Sequence, residues 1–160
     1  MRITFERATV ADAEALVNAQ IAAFDHDAVL YPGVGIGGPP GYDSVERTRE
    51  KIGASLGYKM VDAGQVIGGI VVWDMGQGRF HIDLIFIDPA YHNCGIGTRA
   101  MLFLEHSYPA TLWTLNTPAW AIRNQHFYEK LGYVKVAEET HPDIILFAYE
   151  KRIGERAAGS

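Results

Sequence analysis

The segment that most constrains this chain runs from Ile82 to His106. An apolar run, Ile82 to Ile87, ends at Asp88-Pro89; then His92-Asn93-Cys94-Gly95-Ile96-Gly97 leads into an amphipathic stretch. Pro89 has no N–H to give a ladder, so a strand stops there. Gly95 and Gly97 have no side chains to keep a ligand off the backbone. The helix they open begins with unpaired N–H groups and the positive end of its dipole. Strand, glycine turn and helix start, in that order, make a seat for a phosphate that needs no cationic side chain. Taken alone, the same glycines also suit an ordinary helix start.

A second segment separates these readings. Asn124-Gln125-His126-Phe127-Tyr128-Glu129-Lys130-Leu131-Gly132-Tyr133 follows at helical spacing and is stopped by a glycine. In this order the two segments resemble the GNAT superfamily of acyl-CoA N-acyltransferases. The family's phosphate loop, Gln/Arg-x-x-Gly-x-Gly/Ala, is matched by His92 to Gly97, and its "FYEKLGF" pattern by Phe127 to Tyr133. The resemblance is clear from Gln65 to Tyr133 and loose over the N-terminal half.

Bulk properties fit one such domain. With 160 residues, 48% of them apolar, the chain can bury a core, and no apolar run approaches the ~20 residues of a membrane span. A single cysteine, Cys94, rules out an internal disulfide framework, and the sequence from Met1 to Leu16 lacks a signal-peptide layout, so a cytoplasmic protein is expected. A net charge of −5 argues against nucleic acid as a partner and is compatible with a cationic acceptor. No metal is expected.

Hydrophobic periodicity predicts the elements. Strands are expected at Ile3–Ala8, Tyr58–Asp62, Gln65–Asp74, Phe80–Ile87, Thr111–Leu115, Tyr133–Glu138 and Ile144–Glu150. Helices are expected from Val10 to Phe24 behind a Thr9 cap, from Asp43-Ser44 to Ala54, from the glycine loop to Ser107, and from Pro118 to Lys130. Asp25 to Tyr42 reads as one long loop, too rich in glycine and proline for regular structure and of a length that is often functional. Its Gly33-Val34-Gly35-Ile36-Gly37-Gly38 is not a nucleotide loop, since no strand runs into it and prolines flank it. The fold class is α+β: a mixed, mostly antiparallel twisted sheet with helices on both faces. The resemblance implies that the strands at Phe80–Ile87 and Thr111–Leu115 form a splayed parallel pair. A single domain is expected over 1–151, with a polar tail over 152–160.

The resemblance implies acetyl-CoA as co-substrate. Backbone amides from Asn93 to Thr98, through Cys94, Gly95, Ile96 and Gly97, would hold its pyrophosphate. Backbone groups of Ile85, Phe86 and Ile87 would pair with pantetheine, and the same side chains also read as plain core. His92 departs from the family's Gln or Arg; an imidazole can donate to phosphate, best when protonated, and a turn histidine without contact is the other reading. Cys94 can be oxidation-sensitive at a helix start, but an acyl-cysteine mechanism is disfavoured because the family transfers directly. Tyr128 matches the tyrosine that protonates the leaving thiolate; a core tyrosine beside Phe127 is the alternative. Ala121 replaces a common asparagine, and Asn124, one turn before Tyr128, is a candidate cofactor contact.

For a base, His81 and Asp83 lie two apart on one strand and so share a face. They can relay a proton or bind an ammonium, and they also fit a half-solvated strand. Where some relatives carry a glutamate base this chain has Asn116, which cannot take a proton but can orient a substrate or a water. Asp25, Asp27 and Tyr31 fall in the region that walls the acceptor pocket in the family; for the two acids, a solvated acidic turn is the competing reading. Trp73, Trp113 and Trp120 are further candidates to line the cleft. The expected activity is direct acetyl transfer to a small amine. The alternatives are a non-catalytic acyl-CoA-binding regulatory domain, an acetyltransferase of protein N-termini or lysines, and a nucleotide-binding module that would use the same glycines in a parallel sheet. Many relatives dimerise, but nothing in the sequence marks an interface.

Overall fold

Alternating apolar residues produce the expected strands. A computed structural model describes residues 2–154. The strands are β1 (Ile3–Arg7), β2 (Leu56–Asp62), β3 (Gln65–Gly76), β4 (Arg79–Ile87), β5 (Leu112–Pro118), β6 (Val134–His141) and β7 (Ile144–Arg152). The helices are α1 (Ala13–Asp25), α2 (Asp27–Leu30), α3 (Val45–Ala54), α4 (Ile96–Ser107) and α5 (Ile122–Lys130). The sheet order is β1-β2-β3-β4-β5-β7-β6. Pairs β1–β2, β2–β3, β5–β7 and β6–β7 are antiparallel, and β4–β5 is parallel. A parallel pair needs a crossover, and α4 supplies it. This is the mixed, mostly antiparallel fold expected.

The described chain falls into two compact units, residues 2–72 with 84–104 and residues 73–83 with 105–154. In the first, β2 and β3 are joined by Ala63-Gly64, with φ of 50° and 80°. Two positive φ values in a two-residue turn match the twist of a hairpin. Asp12 accepts from the Thr9 amide at 2.8 Å, closing the turn before α1. Ser44 Oγ accepts from the Arg47 amide at 3.1 Å and caps α3. Helices α1 and α3 share a buried polar pair, in which Gln20 Nε2 donates to Thr48 Oγ1 at 3.2 Å and to the Tyr42 carbonyl at 2.7 Å. Both residues are buried, so each bond offsets a desolvation cost of about 1–3 kcal/mol.

Helices do cover both faces of this part of the sheet. Phe103 of α4 meets the Tyr58 ring at 5.1 Å, whereas Leu16 of α1 approaches Gly69. Tyr58 and Lys59 pair with Ile70 and Gly69, and successive strand residues face opposite ways. Gly68 has a separate reason to be glycine: a Cβ there would lie 2.4 Å from the Phe86 carbonyl oxygen.

In the second unit α5 lies over one face of the sheet. Tyr128 packs among Phe127, Tyr133 and Tyr149, with ring centroids 5.2, 6.0 and 6.3 Å away. Tyr149 donates to Glu129 at 2.8 Å, tying β7 to α5. Lys151 pairs with Glu105 at 2.9 Å. Strand β6 is exposed along its length, which leaves it as the sheet's edge.

Three sequence expectations need correction. The segment after Asp25 is not all loop, because Asp27–Leu30 closes a helical turn. The last helix begins at Ile122, not Pro118; Pro118 ends β5, and its carbonyl accepts from the Ala121 amide at 3.0 Å in a turn that precedes the helix. Arg152, the expected start of the tail, is the last residue of β7; residues 155–160 lie outside the described residues.

Candidate active site

The first unit builds its site from backbone. Asp88 ends β4, with its amide bonded to the Ile67 carbonyl at 2.7 Å and its carboxylate accepting from the Ala90 amide at 2.9 Å. The chain then turns through Asn93 (φ 61°) and Gly95 (φ 75°). Turns of successive main-chain N–H groups are the backbone element from which anion-binding concavities are built. Nothing lies within 4 Å of where a Gly95 Cβ would stand, so conformation rather than crowding calls for glycine. Ile96 is buried and fixes the first turn of α4 in the core, while Asn93, Cys94, Gly95 and Thr98 are exposed. The first bond of α4 runs from the Arg99 amide to the Gly95 carbonyl at 3.2 Å. The amides of Ile96, Gly97 and Thr98 therefore precede the helix ladder, as any helix start requires.

His92 is not a loose turn residue. Its Nε2 lies 3.1 Å from the Ile87 carbonyl, and its ring meets His26 edge-on at 5.6 Å. One oxygen of the Ile85–Ile87 segment is thus engaged by the loop itself. Phe86 is core, packed 6.1 Å from Phe24, while Ile85 and Ile87 are half-buried.

The residues expected on the acceptor side behave differently from one another. Asp25 accepts from the Tyr42 hydroxyl at 2.6 Å, so it ties down the glycine- and proline-rich segment. That bond, with burial and the nearby acids, pushes the Tyr42 phenol up to about 12. Burial pushes the Asp27 carboxyl up to about 6, partly offset by His26. Tyr31 is half-buried and directly follows α2.

The second unit builds its site from side chains. Parallel pairing sets His81 opposite Thr114, and β5–β7 pairing sets Thr114 opposite Glu150. Residues opposite one another share a face. His81 Nδ1 lies 2.7 Å from Thr114 Oγ1, and Asp83 accepts from the Trp73 indole N–H at 3.1 Å. Glu139 pairs with Leu146, two positions along from Ala148 and four from Glu150, and its charge reaches His81. Burial lowers the His81 pKa from 6.5; the carboxylates of Asp83 and Glu139 oppose the shift without cancelling it. His81 is therefore a neutral imidazole at pH 7, able to accept a proton. Asn116 is exposed on the same face.

Tyr128 is 6% exposed, and burial pushes its phenol pKa up. It remains an O–H donor at any physiological pH. Asn124 donates through Nδ2 to Thr117 Oγ1 at 3.2 Å. Three participants escaped sequence reasoning in these roles: Thr114 on His81, Trp73 on Asp83, and the charge of Glu139. The first and third depend on strand register, which no local pattern announces. Among the described residues no His, Cys, Asp and Glu side chains gather into a group able to hold a metal ion. No helix of the described chain is long and apolar enough to cross a membrane.

Known proteins share this fold. The fold is similar to that of the PaiA N-acetyltransferase of Thermoplasma acidophilum solved with coenzyme A, with a TM-score of 0.76 at 18% identity over 96% of this chain and all of that one. It is similar also to the ribosomal-protein-S18-alanine N-acetyltransferase of Escherichia coli, with a TM-score of 0.74 at 14% identity over 97% and 98% of the two chains. In sequence, the uncharacterized protein YrkN of Bacillus subtilis (strain 168) is 36% identical over 97 residues, 59% of this chain and 52% of that protein. The chain spans about half the length of that relative. The model of the acetyltransferase (GNAT) family matches residues 34–133, which takes in the glycine loop, the His81–Asp83 strand and Tyr128, and the chain belongs to that family.

Proposed function

We propose that this protein is an acetyl-CoA-dependent N-acetyltransferase that transfers the acetyl group directly to the amine of a small cytoplasmic molecule. The observation that carries this reading is the left-handed pair Asn93 and Gly95 at the start of α4, within the family-matched region. The amides from Asn93 to Thr98 hold the pyrophosphate. The backbone of Ile85 to Ile87 aligns the pantetheine arm.

In the transfer, the amine nitrogen bonds to the thioester carbonyl carbon and the C–S bond breaks. His81, neutral at pH 7, takes the proton that the amine loses. Tyr128, protonated, gives its proton to the departing thiolate. Asp83, oriented by Trp73, attracts a cationic acceptor, whose ammonium gives one proton to solvent before the neutral amine attacks and passes its second to His81. An oriented carboxylate with Glu139 on the same face favours cationic acceptors over neutral ones.

The test is release of free thiol from acetyl-CoA in the presence of a panel of amines, amino acid derivatives and peptides. Release with one class of small cationic amine is the expected result. Release only with peptide N-termini or lysines would replace the small-molecule acceptor. Acetyl-CoA binding with no release for any amine would favour a regulatory domain.

A further inference from the structure

Parallel pairing of β4 with β5 ends at Ile82 and Leu115, so His81 and Thr114 face each other one step before the strands part. The imidazole Nδ1 lies 2.7 Å from Thr114 Oγ1, and Nε2 has no hydrogen-bond partner among the described residues. A neutral imidazole has one N–H and one lone pair, and a hydroxyl can meet either. The direction of this bond therefore decides which nitrogen can take a proton. If Thr114 donated, the lone pair would be tied up at Nδ1 and Nε2 would carry the hydrogen. If Nδ1 donates, the lone pair is on Nε2, the nitrogen that no protein group occupies.

The charges around the pair favour the second arrangement. On β4, Asp83 is held by Trp73, and Arg79 is exposed two residues before the ring. On β6, the charge of Glu139 reaches the ring, and His141 lies 3.4 Å from that carboxylate. On β7, Glu150 stands opposite Thr114 on the same face and is paired with Arg152 at 3.4 Å. Strand β5 lies between β4 and β7, so Glu150 approaches Thr114 from the side away from His81. An ionised carboxylate only accepts, and hydroxyl dipoles orient in the field around them. The charge of Glu150 turns the Thr114 hydrogen toward β7 and leaves the oxygen's lone pairs for the ring N–H.

We propose that Thr114 is a positioning residue for His81: its Oγ1 accepts the Nδ1–H of the neutral ring, which leaves the lone pair on Nε2 to take the proton of the attacking amine. This rests on the reading of His81 as the group that receives that proton. When Nε2 is protonated, the Nδ1 hydrogen stays in place, and its bond to Oγ1 becomes charge-assisted and stronger. Thr114 itself neither gains nor loses a proton. A hydroxyl in this place adds no charge, unlike a carboxylate, so it orients the ring without making it a cation at pH 7.

The test reads the tautomer directly, by long-range proton–nitrogen NMR correlation in the imidazole rings of nitrogen-15-labelled protein at about pH 8, where the His81 ring is neutral. Among the six histidines, His81 is assigned by the signals that His81→Gln lacks. Wild type is expected to show the Nδ1–H form. Thr114→Val keeps a branched side chain suited to a strand and removes the hydroxyl, so the ring is expected to turn to the Nε2–H form. Thr114→Ser is expected to keep the Nδ1–H form. In thiol-release assays, Thr114→Val is expected to lower kcat about tenfold with KM little changed, and Thr114→Ser to recover most of the loss. An Nε2–H ring in wild type would overturn the proposal and the role of His81 as proton acceptor together. An Nδ1–H ring in both wild type and Thr114→Val would overturn the part played by Thr114 alone. So would a reversed tautomer in Thr114→Val with kcat unchanged; if His81→Gln also kept its kcat, the failure would lie in the reading of His81.

Discussion

The glycine loop of the first unit and the polar sheet face of the second are made from different materials. In the proposed function the loop acts through main-chain N–H groups, and its geometry is written in one contiguous stretch, Asp88 to Thr98. The sheet face would act through side chains from four separate strands: Trp73 on β3, His81 and Asp83 on β4, Thr114 on β5 and Glu139 on β6. A backbone site tolerates many side chains but few changes of conformation. A side-chain site tolerates modest backbone change but depends on individual functional groups. The two should therefore respond to opposite kinds of substitution.

The largest effect is expected where one group performs a proton transfer that nothing else can replace. Tyr128→Phe removes only an oxygen from a ring packed among Phe127, Tyr133 and Tyr149. We expect kcat to fall about 10³-fold with the Kd for acetyl-CoA little changed, since the loss is of general-acid catalysis. Steady-state kinetics beside calorimetry would check it. A kcat near wild type across pH would return Tyr128 to the core.

His81→Gln is expected to lower kcat about 10²-fold, less than Tyr128→Phe because water can accept the amine's proton. Its pH signature is more specific. Burial, the dominant cause, lowers the folded-state pKa below 6.5, and Asp83 and Glu139 only partly oppose it. The unfolded chain therefore binds more protons between these two values, and stability rises with pH across that window. The His81 contribution is fully present above 6.5 and is lost as pH falls through the folded pKa. Tm measured from about pH 5 to 7 should fall on the acid side in wild type, and less so in His81→Gln. The acid limb of kcat should move with the same group. Identical Tm profiles would mean that the ring is not held neutral by the fold.

Gly95→Val tests the loop in the opposite sense. Space for a Cβ is open, so the expected effect is that of φ 75°. A β-branched residue in the left-handed region costs about 1–2 kcal/mol, enough to raise the Kd for acetyl-CoA about tenfold if the loop relaxes out of shape. Gly95→Asn, which tolerates that region better, should recover part of the loss. Equal affinities for both variants would show that loop conformation does not govern binding.

How much of each region could be read from the sequence follows from the same distinction. Gly95, Gly97, Asp88 and Pro89 have conformational preferences strong enough to act locally, so the turn and helix start were legible without any partner. The hairpin at Ala63-Gly64 and the stop at Gly132 were legible for the same reason. That His81 and Asp83 share a face follows from strand periodicity, but the Thr114 hydroxyl opposite His81 follows from parallel register, set by contacts distant in sequence. Asp25 illustrates the converse. As an acid near the expected acceptor region it read as a substrate ligand or a solvated turn, whereas its carboxylate accepts from Tyr42, seventeen residues on. The short helix α2 was hidden because glycine and proline density after Tyr31 dominated the reading of the whole segment.

The smallest effect is the one that tests the side-chain site most finely. Trp73→Phe keeps an aromatic ring and removes the indole N–H that donates to Asp83 Oδ2 at 3.1 Å. The Trp73 indole is neither acid nor base at physiological pH, so its expected influence passes through the carboxylate. A bond from a neutral donor to a charged acceptor is worth about 1.5–3 kcal/mol when both partners are held, and less where water can replace the donor. Trp73 and Asp83 are only partly buried, so we expect the lower end: KM for a cationic amine raised about threefold to tenfold, with kcat and the Kd for acetyl-CoA unchanged. The same variant assayed with a neutral acceptor should show no change in KM. A fall in kcat for every acceptor would instead mean that Asp83 acts in the chemical step, and that Trp73 orients a reacting group rather than a binding one.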